Sequence, residues 1–270
     1  MDYLPGLEPD FDIKQELSFI GQYPDLRQFD KVFISISGGK DSHAMTFLVR
    51  DIAEKQGCLD KLICVYADTG MEWYNAEEQV RKICQAAGIP LQVVYPVRPM
   101  VEKFRHRFEL AKAGKVNELV FPSARCRYCT SEQKVAPLDK FTIRYTGKLL
   151  KVTGERWQES SARAGYSEFI KVSRITNRKR TVYGWRPMLG FTTTDIFQMV
   201  VDSGVPRHCA YDMGCGRLGC AGCIHSNNYE LKVEMRENPE IFESLDRLEV
   251  EVGKTMSIDK IRIRDRIKKA

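Results

Sequence analysis

The sequence predicts an α/β fold: a doubly wound parallel sheet with helices on both faces, followed by a helical, loop-rich C-terminal cap. Three observations predict it. Short apolar runs alternate with segments of helical spacing through the first half of the chain. The first apolar run stops at a glycine pair and passes straight into a helical pattern. The 270 residues, 43% of them hydrophobic, suffice for a sizeable core. On this reading residues 1–190 carry the sheet and 191–270 form a cysteine-containing cap with a helical tail.

The elements follow in order. Phe11 to Ile20 reads as a short helix. Lys31 to Ile36 is a continuous apolar run, as a strand buried on both faces requires. Asp41 to Gln56 has helical spacing at Ala44, Phe47, Leu48 and Ile52. A second buried strand is expected at Lys61 to Ala67. A helix fits Asn75 to Ala87, ended by Gly88 and Pro90. Leu91 to Tyr95 and Leu149 to Thr153 give a third and a fourth strand. After about Phe191 the pattern turns helical. Asn238-Pro239-Glu240 opens a helix through Leu245, Leu248 and Val252, whose spacing predicts packing on the core or on a partner.

Composition narrows the classes. No run of about 18 apolar residues is present, so no membrane span is expected. Met1 to Gly6 has neither a basic nor an apolar leader region, and a cytoplasmic location is expected. The formal charge is +6, from 42 basic and 36 acidic residues. Two stretches concentrate it: Lys171 to Arg180, with Lys171, Arg174, Arg178, Lys179 and Arg180, and Lys260 to Lys269. Such patches attract a phosphate backbone, DNA or tRNA, or else they are solvated loop and tail. Oligomeric state is not readable.

Nine cysteines without an export signal point to metal or redox chemistry rather than to disulfides. Cys58, Cys64 and Cys84 lie in apolar surroundings at no ligand spacing and read as buried small hydrophobes. Cys126-x-x-Cys129 and Cys220-x-x-Cys223 form two pairs, each able to bring two sulfurs to one ion. Four thiolates suit zinc or an iron–sulfur cluster. Cys209 and Cys215 leave a second set open: Cys209, Cys215, Cys220 and Cys223. His225, beside the second pair, is an alternative ligand, and His43 is expected to be packed or half exposed.

The junction Ser37-Gly38-Gly39-Lys40-Asp41-Ser42 carries the clearest chemistry. Its glycines let the backbone curl tightly and leave room for a close ligand. Backbone N–H groups and the helix dipole then favour phosphate oxygens. Lys40 adds a cation, and Ser37 and Ser42 add hydroxyls. Asp41 suits the first helical turn or a magnesium contact. The spacing is not that of a Walker loop.

This string resembles the pyrophosphate loop of the N-type ATP pyrophosphatases, a superfamily of adenylating synthetases, tRNA thiolases and sulfonucleotide reductases. Further segments are similar to the phosphoadenylyl-sulfate (PAPS) reductases. These are Ala67-Asp68-Thr69-Gly70; Arg127-Tyr128-Cys129-Thr130 with Lys134 and Pro137-Leu138; and Gly154-Glu155-Arg156 with Glu159-Ser160 and Arg163. Arg186-Pro187-Met188 with Thr194-Asp195-Ile196, and Tyr211 through Cys220-Ala221-Gly222-Cys223, complete the order from about residue 30 to 225. The resemblance implies an ATP-pyrophosphatase-like domain in 1–190. It implies nucleotide contacts from Ser35, Ser37, Gly38, Gly39, Lys40, Asp41, Ser42, Asp68, Thr69, Lys134 and Gly154. Lys40, Asp41, Arg156 and Arg163 are the expected catalytic groups. The two arginines follow the fourth strand, where ligands bind in open sheets; otherwise they bridge carboxylates such as Glu155 or Glu159.

The resemblance also implies a metal centre at Cys126, Cys129, Cys220 and Cys223, with Cys215 in reserve: a 4Fe-4S cluster or, alternatively, a zinc staple. Thr130 stands where cluster-bearing reductases have a second adjacent cysteine. Three functions follow. One is ATP-dependent sulfur insertion, using ATP with magnesium, a sulfur donor, and a nucleic acid or small acceptor. Another is reduction of PAPS or APS with a thioredoxin-like reductant. Those reductases use a cysteine in a C-terminal Glu-Cys-Gly-x-His segment, and no cysteine follows Cys223 in this sequence. The third is a non-catalytic nucleotide- or nucleic-acid-binding module.

Overall fold

The computed structural model describes residues 7–9, 13–115, 120–123, 125–257 and 259–268. Met1 to Gly6, Phe11 and Lys269, on which some expectations rest, lie outside them. The described chain divides into two compact units. The first comprises residues up to Tyr66, Glu78–Val93 and Leu138–Arg207; the second comprises Ala67–Glu77, Val94–Pro137 and His208 onward.

The first unit is built on a sheet. Its strands are β1 (Leu7–Pro9), β2 (Lys31–Ile36), β3 (Leu62–Ala67), β4 (Leu91–Val94), β5 (Gly147–Val152), β6 (Phe169–Val172) and β7 (Arg180–Trp185). They lie in the order β1-β6-β7-β5-β2-β3-β4. β2 pairs in parallel with β3 and β5, and β5 with β7. β6 runs antiparallel to both β7 and β1. The α/β fold class is therefore as expected, with a mostly parallel sheet.

Strand alternation sorts the helices onto two faces. Val32, Ile34 and Ile36 join the large core with Met45 and Phe47 of α1 (Lys40–Lys55), Val80 and Ile83 of α2 (Ala76–Ala87), and a further helix, Thr193–Asp202. Phe33 points the other way and packs edge-on against Phe141 at 5.8 Å, on the helix Ala136–Thr142. Lys151 pairs in register with Phe33 and shares that second face. It is 7% exposed and bonds Asp139 of the same helix, which also takes Arg174 at 2.6 Å.

The second unit has its own core. Phe104 on Met100–Lys112, Leu231 and Met235 on Asn228–Glu237, and Leu245, Leu248 and Val252 on Pro239–Val252 pack together with Tyr128 and Ile263. The helix expected from Pro239 is thus present and buries its apolar stripe inward. Upstream, Tyr128–Thr130 continues into Ser131–Val135, wound with the wider π geometry.

Two expectations need correction. Where one helix is expected from Phe11 to Ile20, the helix among the described residues of that range is Ile13–Glu16; Phe19–Ile20 and Tyr23–Pro24 form a small hairpin turned at Gly21 (φ +61°). The basic stretch from Lys171 is not a solvated loop throughout, because it holds the end of β6 and the start of β7. Cys58, Cys64 and Cys84 are buried, as expected. Among the described residues no helix is long and apolar enough to cross a membrane.

Candidate functional site

The glycine bend lies in the first unit, at the C-terminal end of β2. Gly38 has φ +76°, a backbone state that L side chains adopt at a cost of about 1–2 kcal/mol. Gly39 is the N-cap of α1 and lends no side chain to it. The first-turn N–H groups of a helix have no partner inside it. The serines shape the turn: Ser42 Oγ donates to the Gly39 carbonyl (3.0 Å) and accepts from Ser37 N–H (3.1 Å), with Ser37 Oγ 3.2 Å away. Ser35 sits one step back in β2, in register with Val65.

Charge converges on Asp41. Lys40 Nζ lies 3.1 Å from one carboxylate oxygen and Arg156 Nε 2.6 Å from the other. Lys40 and Arg156 are only 6% and 4% exposed. Arg156 Nη1 also donates to Thr193 Oγ1 at 3.2 Å and to the Phe191 carbonyl at 3.4 Å. Gly154 passes close behind: a Cβ there would lie 3.5 Å from the Asp41 carbonyl and from Met45 Sδ. Arg163 instead pairs with Glu159, whose carboxylate also caps the Arg156 N–H. Of the two arginines, then, Arg156 joins the bend and Arg163 bridges a neighbouring carboxylate.

His43 is buried on α1, with Nε2 3.0 Å from Ser203 Oγ. Burial pushes its imidazole down to about 4.

Asp68, Thr69, Lys134 and the paired cysteines lie in the second unit. Asp68 accepts from Gly70 N–H at 2.8 Å, and Thr69 Oγ1 donates to Glu72 at 2.9 Å. The same Glu72 oxygen meets Lys134 Nζ at 3.4 Å and the Cys220 thiol at 3.5 Å. Burial pushes Cys220 up to about 12; Glu72 adds to this and Lys134 opposes it. The Lys134 ammonium, although burial works against its charge, is held above its ordinary value by Cys220 and Glu72. Arg217 Nη2 reaches Cys223 Sγ at 3.7 Å.

Four cysteine sulfurs are chemically suited to a soft metal. Yet Cys126 is exposed, Cys220 and Cys223 have protein partners, and among the described residues no three His, Cys, Asp or Glu side chains are grouped to hold an ion. The paired cysteines therefore show no built metal or cluster site among the described residues.

Several cations of the basic stretches have partners within the protein. Lys171 pairs with Glu16, Arg174 with Asp139, and Arg180 donates to the carbonyls of Ile175 and Ile143. Arg262 and Arg264 share Asp246, Arg266 holds Asn228 and the Ser226 carbonyl, and Lys268 pairs with Asp265.

Glu72, Arg217 and Thr193 were not expected at a site. Arg217 lies inside the segment from Tyr211 to Cys223 singled out above, and Thr193 stands beside a capping box formed by Thr192 and Asp195.

Residues 31–226 match the phosphoadenosine phosphosulfate reductase domain family. An uncharacterized 37.8 kDa protein of Escherichia phage 186 is 26% identical, over 73% of this chain and 68% of its own. An uncharacterized protein of Methanocaldococcus jannaschii is 25% identical, over 80% of this chain; the match spans only 41% of that relative's length. Among solved structures, a PAPS reductase from Candida auris in a phosphate complex has 15% identity and a TM-score of 0.46, covering 73% of this chain and 85% of its own. An FMN adenylyltransferase of Candida glabrata has 14% identity and a TM-score of 0.47, covering 77% and 65%. A U34-tRNA thiolase of Methanococcus maripaludis with its 4Fe-4S cluster has 15% identity and a TM-score of 0.46, covering 88% and 77%.

Proposed function

The chain belongs to the phosphoadenosine phosphosulfate reductase domain family, and on that premise we propose that it adenylates an acceptor in the manner of an ATP pyrophosphatase and then passes sulfur to it. An acceptor oxygen attacks the α-phosphorus of ATP, the bond to the bridging oxygen breaks, and pyrophosphate leaves. A nucleophile at the oxidation level of hydrosulfide then displaces AMP, which departs with the acceptor's oxygen. Adenylation needs positioning and charge neutralisation more than covalent help from the protein.

One observation carries this reading: two almost fully buried cations, Lys40 and Arg156, meet on one carboxylate at the N-terminus of α1. Asp41 pairs with both cations, and a phosphate tail takes them over on binding. The amides after Gly38 hold the same oxygens, while Ser37 and Ser42 fix the curve of the bend. Asp41, once released, is the residue that would hold magnesium, and the ion would offset the charge on the leaving pyrophosphate.

The test is pyrophosphate release from magnesium ATP by the full chain, with tRNA or DNA and hydrosulfide present. Acceptor-dependent release that disappears in Lys40→Ala is expected. Release that Lys40→Ala leaves intact would overturn the reading. The family match also supports a second one, reduction of PAPS; thioredoxin-dependent sulfite release from PAPS without any use of ATP would favour it.

A further inference from the structure

We propose that a cavity of about 550 Å³ in the first unit, walled by Phe19, Tyr23 and Phe191, binds a planar heteroaromatic lactam of nucleobase size. That this ring belongs to the acceptor rests on the adenylation reading; the binding itself does not.

The walls are held open. Phe19 stands edge-on to Phe169 at 5.5 Å, and Tyr23 edge-on to Trp185 at 6.4 Å. Phe169 and Trp185 are themselves stacked, with ring centres 6.1 Å apart and planes 3° from parallel. These contacts set the orientation of the Phe19 and Tyr23 rings at the cavity. A flat ligand gains stacking there, about 1–3 kcal/mol per base. A base with its sugar fits a cavity of this size.

The polar side of the cavity specifies the ligand's edge. Lys14 Nζ and Glu168 Oε2 both line it, 3.3 Å apart. Glu168 is fixed through its other oxygen, which accepts from Trp185 Nε1 at 3.3 Å. A donor and an acceptor side by side match a C=O and an N–H side by side, which is the lactam edge of a pyrimidine or oxopurine. An anionic ring would meet the carboxylate, and a cationic ring the ammonium.

The cavity is also tied to the bend. Phe191, one of its walls, presents its backbone carbonyl to Arg156, and Arg156 grips Asp41. A ring held against Phe191 therefore lies on the segment that positions the arginine of the phosphate site.

The probe is thymidine, titrated by calorimetry into the full chain, with 3-methylthymidine as the control in which the lactam N–H is blocked. Saturable thymidine binding is expected, with about tenfold weaker binding of the methylated control, because the methyl group then stands where Glu168 Oε2 would accept the lactam N–H. Tyr23→Ala should weaken both ligands. Glu168→Gln, which keeps the walls, should remove the preference between them. Lys40→Ala should leave thymidine binding unchanged while abolishing ATP binding, so failure of this site and failure of the adenylation site are separable. Absence of saturable thymidine binding, equal binding of the two nucleosides, or indifference to Glu168→Gln would each overturn the proposal.

Discussion

Asp41 carries two buried cations, and its removal should separate anion binding from turnover. In Asp41→Asn, Lys40 and Arg156 lose their shared counter-charge, so pyrophosphate becomes the better partner. We expect calorimetry to give about tenfold tighter pyrophosphate binding, a gain of about 1.4 kcal/mol, together with loss of magnesium-dependent ATP turnover. Weaker pyrophosphate binding would refute the idea that the carboxylate stands in for phosphate. His43 gives a pH signature. Its folded value of about 4 lies below the ordinary 6.5, so its contribution to stability is complete above 6.5 and is lost as pH falls through about 4. Urea unfolding of wild type and His43→Gln across that window should differ by up to about 3 kcal/mol, with the wild type losing more on acidification. The residues of the bend were legible because they are consecutive and their chemistry is local. Glu72 was not, because its thiol partner Cys220 lies 148 positions away.

At the scale of elements, charge disguised structure. β6 and β7 are hard to read from sequence because Lys171 interrupts one apolar run and Arg180 opens the other, and Glu16, the partner of Lys171, is remote in sequence. The apolar strands β2 and β3 were read to within a residue, because burial on both faces leaves an uninterrupted hydrophobic run. A charge run that the sequence leaves open between a polyanion surface and a solvated loop should therefore respond as structure. Arg174→Ala strips one cation from the buried Asp139 and should cost about 2–3 kcal/mol in urea unfolding. Lys179→Ala, at an exposed position of the same run, should stay within about 0.5 kcal/mol of wild type.

At the scale of the whole molecule, each unit has its own core, so ligand effects should appear in the melting of the unit that holds the bend. Magnesium ATP at a hundred times its dissociation constant adds about 2.7 kcal/mol, which corresponds to a rise of about 5–10 °C by calorimetry. Lys40→Ala should abolish the rise. The direction of one strand has a wider effect. In a purely parallel sheet every strand arrives at the ligand edge with its last residue, and only the loops that follow can furnish it. Because β6 runs against its neighbours, its first residue, Phe169, lies level with Trp185, the last of β7. The segment leading into β6, with Glu168, is thereby delivered to the rim that outgoing loops otherwise monopolise. A single reversal thus gives the chain a second approach to that rim, from an incoming segment as well as from outgoing loops.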